Sequence, residues 1–352
     1  MPDVAVVGAG PIGTLVAALL QRRGLETAVY ERRDAISQRP RAVGIHPPAV
    51  AVLRQLGLEL PGARPIARGE ARDHDRVLGA MRFAPPVLMQ PQHLLQTELD
   101  AHVRHLRRAT PVTGVENGAR SARVHVPGGA VGARIVIAAD GVDSSIRGES
   151  DAAWRRHAGR GRYLMADVGD DSELGDAAVL WFAQRGVVES FPLPSSRRRW
   201  VARAAIGTDL AQLVGERTGV RLPPSTAEQT SSFIAAQHLA DRWVQGRIVL
   251  LGDAAHEISP IGGQGMNLGI LDAAALVPCL ISALDGDTAA LDSWERERKG
   301  TARKAMAQAA FNMSVGTPIP AFAQPFRRAG VRVLTWGPLA RRLEAAFTMA
   351  QL

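Results

Sequence analysis

Apolar residues recur along this chain with three different spacings, and each predicts a different kind of element. Short, nearly unbroken runs come first: Val4-Ala5-Val6-Val7, Thr27-Ala28-Val29-Tyr30, Ala133 to Ala139 with Arg134 the one charge, and Ile248-Val249-Leu250-Leu251. Their length and β-branched content are those of strands buried on both faces. Thr14 to Arg23 has helical spacing and is closed by Gly24, so residues 4–30 read as one βαβ unit. Residues 161–207 instead alternate, as in Ala178-Val179-Leu180-Trp181-Phe182 and Val187-Val188-Glu189-Ser190-Phe191-Pro192, which predicts antiparallel strands. Residues 226–240 read as helix, after which Gly246-Arg247-Ile248 returns to a buried strand. Residues 286–352 read as helices, interrupted at Thr317-Pro318-Ile319-Pro320. No internal repeat and no low-complexity tract disturbs this order.

Chemistry enters at the ends of the unbroken runs. After the first comes Gly8-Ala9-Gly10-Pro11-Ile12-Gly13, a G-x-G-x-x-G loop opening a helix, and Glu31 ends the second run 18 residues beyond the last glycine. In such a unit Gly8 permits the tight turn, Gly10 lets backbone approach a pyrophosphate, and Gly13 lets helix and strand pack closely. The helix N-terminus offers free N–H groups and a partial positive charge to phosphate. Glu31 can accept hydrogen bonds from ribose hydroxyls, which favours NAD or FAD over a 2′-phosphorylated dinucleotide. Asp140-Gly141 follows the third run. Gly252 to Asn267, G-D-A-A-H-E-I-S-P-I-G-G-Q-G-M-N, follows the fourth. Only one βαβ unit is evident, so three such loops suggest one long ligand touched at three places.

Composition narrows the class. The chain has 352 residues, 46% hydrophobic and 22% charged, within the range of globular proteins. Net charge is +8, and all but two of the 42 basic residues are arginines, the lysines being Lys299 and Lys304. These charges are scattered, with Arg197-Arg198-Arg199 the longest run, so nucleic acid is not the expected partner. The single cysteine, Cys279, excludes an intrachain disulfide, and no clustered ligand set predicts a metal. No apolar stretch was expected to span a membrane and no signal region opens the chain, so a cytoplasmic protein is expected.

The residues resemble a known family. R-x-R-A-x-G at 39–44, A-D-G-x-x-S-x-x-R at 139–147 and the block at 252–267 are similar to the motif set of the group A, single-component FAD-dependent aromatic hydroxylases. The resemblance covers about 1–65, 88–100, 133–147 and 240–300. The helix led by Gln92 resembles the polyketide-tailoring members. It implies an α/β fold of the p-hydroxybenzoate hydroxylase kind: a Rossmann-like FAD-binding domain with an inserted mixed β-sheet substrate domain. The division expected is 1–68, 97–160 and 241–285 for FAD, 69–96 and 161–240 for substrate, and a helical 286–352. Larger members carry a further thioredoxin-like domain, which a chain of this length is expected to lack. Residues 109–132 are abbreviated against the family's usual hairpin region.

The resemblance also implies roles. Noncovalent FAD would contact Gly8, Gly10, Pro11, Ile12, Gly13, Glu31, Arg32, Arg41, Gln92, Asp140, Gly141, Asp253, Pro260, Gly263, Gln264, Gly265, Met266 and Asn267. Arg39 and Gly262 would lie nearby, and Arg147 would serve a phosphate. Asp253 would bond the ribityl chain, and Pro260 would line the flavin face. His256 reads as packing and hydrogen bonding within its turn, and Asp140 has a second reading as a helix cap. Trp181, Phe182, Phe191, Trp200 and Arg203 are substrate-pocket candidates. NAD(P)H would be the transient reductant and O2 the oxidant, with oxygen delivered to an aromatic or polyketide-like small molecule through a flavin C4a-hydroperoxide. No catalytic side chain is singled out, and a monomer or homodimer is expected. A halogenase would need a W-x-W pair, which the six tryptophans do not form. A reductase or cyclase of the geranylgeranyl reductase or lycopene cyclase kind, or a non-catalytic FAD-binding protein, remains as the alternative.

Overall fold

Strand Val4–Val7 lies near the middle of a six-stranded sheet in the computed structural model, which describes residues 1–260 and 262–350, the side chains of 158–160 excepted. Ile261 and residues 351–352 thus lie outside the described part of the 252–267 motif and of the C-terminal helical segment. The unbroken apolar runs explain the sheet. Val4, Ala5 and Val6 are fully buried, and strands Thr27–Tyr30 and Ile135–Ala138 pair with them in parallel on either side. Ile248–Leu250 extends the sheet beyond Ile135–Ala138. Helix Pro11–Arg22 packs against helices Gln92–Asp100 and Gln264–Leu284. Segment 109–132, short in sequence, contains most of a three-stranded meander (Gly114–Asn117, Ala122–Val126, Gly129–Ala133) whose Ala122 and Val124 enter the same core.

A second sheet of nine strands is assembled from distant parts of the chain. Its order runs His256–Glu257, Ser231–Ala240, Trp154–Gly169, Arg197–Arg203, Val188–Leu193, Ala178–Trp181, Arg64–Asp73, Arg76–Met89 and Gly44–Ile45. The alternation across 161–207 therefore does produce strands, and they begin earlier, at Trp154. The helix expected over 226–240 is corrected: only Thr226–Gln229 is helical, and Ser231–Ala240 is a strand paired antiparallel with Trp154–Met165. Ala235, Gln237 and Leu239 are buried at a period of two that the alanines had masked, and Ala240 at the strand's end is buried with them. Helix Leu210–Thr218, capped by Asp209 and closed by Gly219 in the left-handed region, was not foreseen.

Three helices, Ala289–Val315, Gln324–Leu334 and Gly337–Phe347, make up the C-terminal segment, with the break at the expected prolines. No apolar stretch was expected to reach the length of a membrane span, and one helix does. Helix Gln264–Leu284 is long and apolar enough to cross a membrane by length and composition, but 61% of its apolar window is buried within the fold.

Candidate active site

At the C-terminal ends of the parallel strands, where ligands bind in open α/β sheets, lies a cavity of about 970 Å3 that reaches to the face of the nine-stranded sheet. The first glycine loop forms one end. Gly8 has φ +97°, and a Cβ there would fall 2.4 Å from the Ala139 carbonyl oxygen. A Cβ on Gly13 would fall 2.0 Å from the Gly8 carbonyl oxygen. Strand, turn and helix are thus in backbone contact. At Gly10 the Cβ position has nothing within 4 Å, which leaves the backbone open to the cavity. Gly10 caps helix Pro11–Arg22 without a side-chain bond, so the first-turn N–H groups remain free for a ligand. Glu31 is buried beside them; one carboxylate oxygen accepts from Ala9 N at 2.7 Å and the other from Arg33 N at 2.9 Å.

The second loop supplies Asp140 and Gly141. Asp140 accepts from Ile146 N at 3.5 Å through one oxygen, while its buried Oδ1 has no partner. The cap of helix Ser145–Glu149 is Ser144, which accepts from Arg147 N, so Asp140 is not that cap. Arg147 is corrected from a phosphate ligand to a structural tie. It is buried, donates to the carbonyls of Ala254 (3.0 Å) and Val142 (2.6 Å), and lies 3.7 Å over the Trp154 ring.

The third loop closes the site. Asp253 is exposed to the open cavity, and desolvation by the protein around the cavity raises its carboxyl pKa, with His256 opposing. Gly263, at φ +66°, is the N-cap of helix Gln264–Leu284 and makes no side-chain cap bond. Gly262, Gly263, Gly265 and Met266 bring that bare helix start to the cavity wall. Asn267 works from behind it: its Oδ1 accepts from His46 N (2.8 Å), and its Nδ2 donates to the Gly44 (2.9 Å) and Gly263 (2.8 Å) carbonyls. His256 is fully buried, with Nε2 2.6 Å from Asp272, which also accepts from Arg298 at 2.5 Å.

Of the residues singled out in the sequence, Gly8, Gly10, Pro11, Ile12, Glu31, Arg32, Arg41, Gln92, Asp140, Gly141, Asp253, Pro260, Gly263, Gly265 and Met266 line this cavity, as does Phe191. Gly13, Gln264 and Asn267 stand in the wall behind it. The other pocket candidates lie elsewhere. Trp181 and Trp200 stack on each other at 5.5 Å inside a separate core, and Trp181 Nε1 donates to the His74 carbonyl. Phe182 packs with Ala71, Leu78 and Val331. Arg203 lies beside Tyr163, outside the lining.

Several lining residues carried no expectation. His46 is held neutral by burial, its pKa lowered to about 4. Arg199 forms a two-pronged pair with Asp167 (2.6 and 2.7 Å) and donates to the Arg41 carbonyl, tying the sheet to the 39–44 loop. Phe347 reaches in from the last helix to stack on Phe83 at 5.1 Å. Glu189 is buried on the sheet face, and burial pushes its carboxyl up to about 7. An acid inside an apolar strand run was the one available signal for it.

A cavity at strand ends, with two bare helix N-termini, an open glycine backbone and an unpartnered Asp140 oxygen, defines a dinucleotide-binding α/β protein, and these donors fit FAD. The comparisons sharpen this. A family profile described as "FAD binding domain" matches residues 1–309. The chain is 30% identical over 321 residues to 3-amino-4-hydroxybenzoate 2-monooxygenase of Streptomyces cremeus, covering 79% of this chain and 78% of that one. It is 28% identical to the 3-(3-hydroxy-phenyl)propionate/3-hydroxycinnamic acid hydroxylase of Mycobacterium avium over 86% of this chain, but spans only 59% of that protein's length. The p-nitrophenol 4-monooxygenase structure from Pseudomonas putida superposes with a TM-score of 0.86 over 99% of this chain and 97% of that one, at 23% identity. The chain belongs to the family of FAD-dependent aromatic hydroxylases and has the p-hydroxybenzoate hydroxylase fold.

Proposed function

We propose that this protein is a soluble, cytoplasmic, FAD-dependent monooxygenase that uses NAD(P)H and O2 to oxygenate an aromatic or polyketide-like small molecule, in secondary metabolism of the antibiotic-tailoring kind. The observation that carries this reading is one cavity in which the glycine fingerprint, Asp140, Asp253 and the bare start of helix Gln264–Leu284 meet the apolar face of the second sheet. The six-stranded layer would hold FAD and the nine-stranded layer the substrate.

The roles follow the family resemblance, and the lining of the cavity supports them. Backbone N–H groups of Gly10, Ile12 and Gly13 would take the pyrophosphate, and Glu31, with Arg32 beside it, would take the ribose through lone pairs left by its Ala9 and Arg33 bonds. Asp253 and Gln92 would hold the ribityl chain, Arg41 the flavin or pyrophosphate, and Asp140-Gly141 the rest of the cofactor; all line the cavity. Pro260 would line the flavin face, and the bare helix start at Gly263 to Met266 would offer it N–H dipoles. Gln264 and Asn267 brace that helix start. These dipoles stabilise negative charge on a reduced ring without reorganising. Bound flavin supplies the redox chemistry with NAD(P)H and O2, which no side chain here provides. Met165, Val201, Phe191 and Phe233 exclude water from the substrate end.

The test is turnover with isotope-labelled O2 against a panel of phenols, naphthoquinones and anthraquinones, read by mass spectrometry. One labelled oxygen retained in product, with NAD(P)H oxidation accelerated by that substrate, is expected. A protein whose purified or FAD-titrated form shows no flavin spectral change overturns the reading at its root. Label found only in peroxide or water across the panel overturns the oxygenase assignment and leaves an FAD-binding reductase or cyclase.

A further inference from the structure

Directly opposed residues of neighbouring antiparallel strands share a face. Glu189 is opposed to Val201, Val201 to Met165, and Met165 to Ser231, giving one row across the sheet, and all four line the cavity. Phe191, two residues further along, lies on the same face. Glu189 is thus an acid set into a mainly apolar floor whose other polar members are Ser231 in the row and Arg199 opposite Phe191.

Its isolation is unusual for this molecule. The buried acids among the described residues are Glu31, Glu70, Asp73, Asp272 and Glu189. Glu31 accepts two backbone N–H bonds, Glu70 pairs with Arg68 and Arg72, Asp73 with Arg328 and Gln324, and Asp272 with His256 and Arg298. For Glu189, burial is the one influence on its carboxyl, with no hydrogen bond and no cation contributing. On the rung to one side, Arg203 and Tyr163 stand opposed; on the rung to the other, Arg199 is already paired with Asp167. Met313 of helix Ala289–Val315 packs below with Tyr163 and Val201, and His46 and Asp253 line the same cavity. A buried carboxylate without a protein partner is stable only if something else supplies the proton or hydrogen bond.

We infer that Glu189 accepts the proton of an aromatic hydroxyl, so that the cavity selects hydroxyarenes and holds the ring by that hydroxyl over Met165 and Val201. This rests on the oxygenase reading above. In the step, the substrate O–H bond breaks and its electron pair stays on the substrate oxygen. The proton forms an O–H bond with the Glu189 carboxylate, and no electron changes hands. The freed pair conjugates into the ring and enriches the ortho and para carbons, the positions an electrophilic oxygen donor attacks. With a carboxyl that titrates near neutrality, the acceptor is available above about pH 7 and lost below it.

The test uses the FAD-loaded protein with two fluorescent probes, 2-naphthol and its methyl ether, which differ in the proton to be donated. Binding of each is read by fluorescence below and above the carboxyl's titration, in the wild type, Glu189→Gln and Glu189→Asp. We expect the wild type to prefer 2-naphthol roughly tenfold or more on the alkaline side, the worth of one hydrogen bond to a charged group. That preference should fall several-fold on the acid side and in Glu189→Gln at every pH, where only a neutral acceptor remains, and persist in Glu189→Asp. Equal affinity for the two probes in the wild type, or no binding of 2-naphthol while flavin absorbance shows FAD in place, overturns the assignment. A preference undiminished in Glu189→Gln does so too. Loss of flavin itself would instead indict the cofactor reading, so the two failures are distinguishable.

Discussion

Asp272 ties the third loop to two helices, and removing its carboxylate tests how the site is held. The side chain is fully buried on helix Gln264–Leu284, with one oxygen 2.6 Å from His256 Nε2 and the other 2.5 Å from Arg298 Nε. Its backbone carbonyl accepts from Trp294 Nε1 at 3.2 Å, and Trp243 packs against both His256 (5.3 Å) and Trp294 (5.6 Å). Asp272→Ala leaves the buried Arg298 charge uncompensated, a change that costs about 3–5 kcal/mol when one partner of a buried pair is lost. Against a total stability of roughly 5–15 kcal/mol, that is a large fraction. Asp272→Asn keeps one acceptor and should lose less. The network also anchors His256, three residues from Asp253, so FAD affinity should fall in Asp272→Ala. Urea denaturation followed by tryptophan fluorescence reads the loss directly, because Trp243 and Trp294 flank the network. Midpoints of both variants within about 1 kcal/mol of wild type would refute the reasoning, because single buried-charge losses exceed that value.

Gly13→Ala drives a methyl to 2.0 Å from the Gly8 carbonyl oxygen, so it should destabilise the fold and abolish FAD retention; a yellow, stable variant would refute the close-contact reading. Asp253→Ala should weaken FAD by about 1.5–3 kcal/mol, the range for a hydrogen bond to a charged group; an unchanged dissociation constant by flavin fluorescence would count against its placement. Glu189 titrates near 7 in the fold against an ordinary 4.5, so the folded state binds the extra proton and its stabilising effect, complete below 4.5, is lost as pH rises to about 7. Glu189→Gln should therefore gain up to about 3 kcal/mol relative to wild type across that window, less whatever cavity water offsets; parallel melting-temperature profiles in pH would refute the shift.

Local rules made the cofactor end legible. A glycine that must face a carbonyl, as at Gly8 and Gly13, is required by backbone geometry alone, and strand, loop, helix and acid all lie within residues 4–31. The substrate end depends on pairing between distant strands. Arg64–Asp73 lies beside Ala178–Trp181, and Glu189 meets Val201 only after the sheet has formed. Aromatic character pointed to Trp181 and Trp200, but large rings bury most area by packing on each other, and these two do so outside the cavity. The strand Ser231–Ala240 was obscured because Ala235 and Ala236 suit a helix as well as a sheet, and only its partner at Trp154–Met165 decides between them.

The two ends differ in how they treat polar groups, and that difference is the stronger indication of where chemistry occurs. Where an acid serves the fold it is saturated, as Asp272 is by His256 and Arg298, or Glu70 by two arginines. Where the cavity begins, valences are left open: Asp140 Oδ1, His46 Nδ1, the Glu189 carboxyl, and the first N–H groups of two helices. Unmatched polar groups are not confined to the cavity, since both amide atoms of buried Gln237 also lack partners and nothing in the structure explains them. Those around the cavity mix donors with acceptors. Each unsatisfied group costs about 1–3 kcal/mol, so several together approach the stability of a whole domain. Such a set persists when ligands that bind the folded state satisfy it. Donors at the helix starts suit an anionic dinucleotide, whereas Glu189, an acceptor on an apolar floor, suits a neutral ring that brings its own proton.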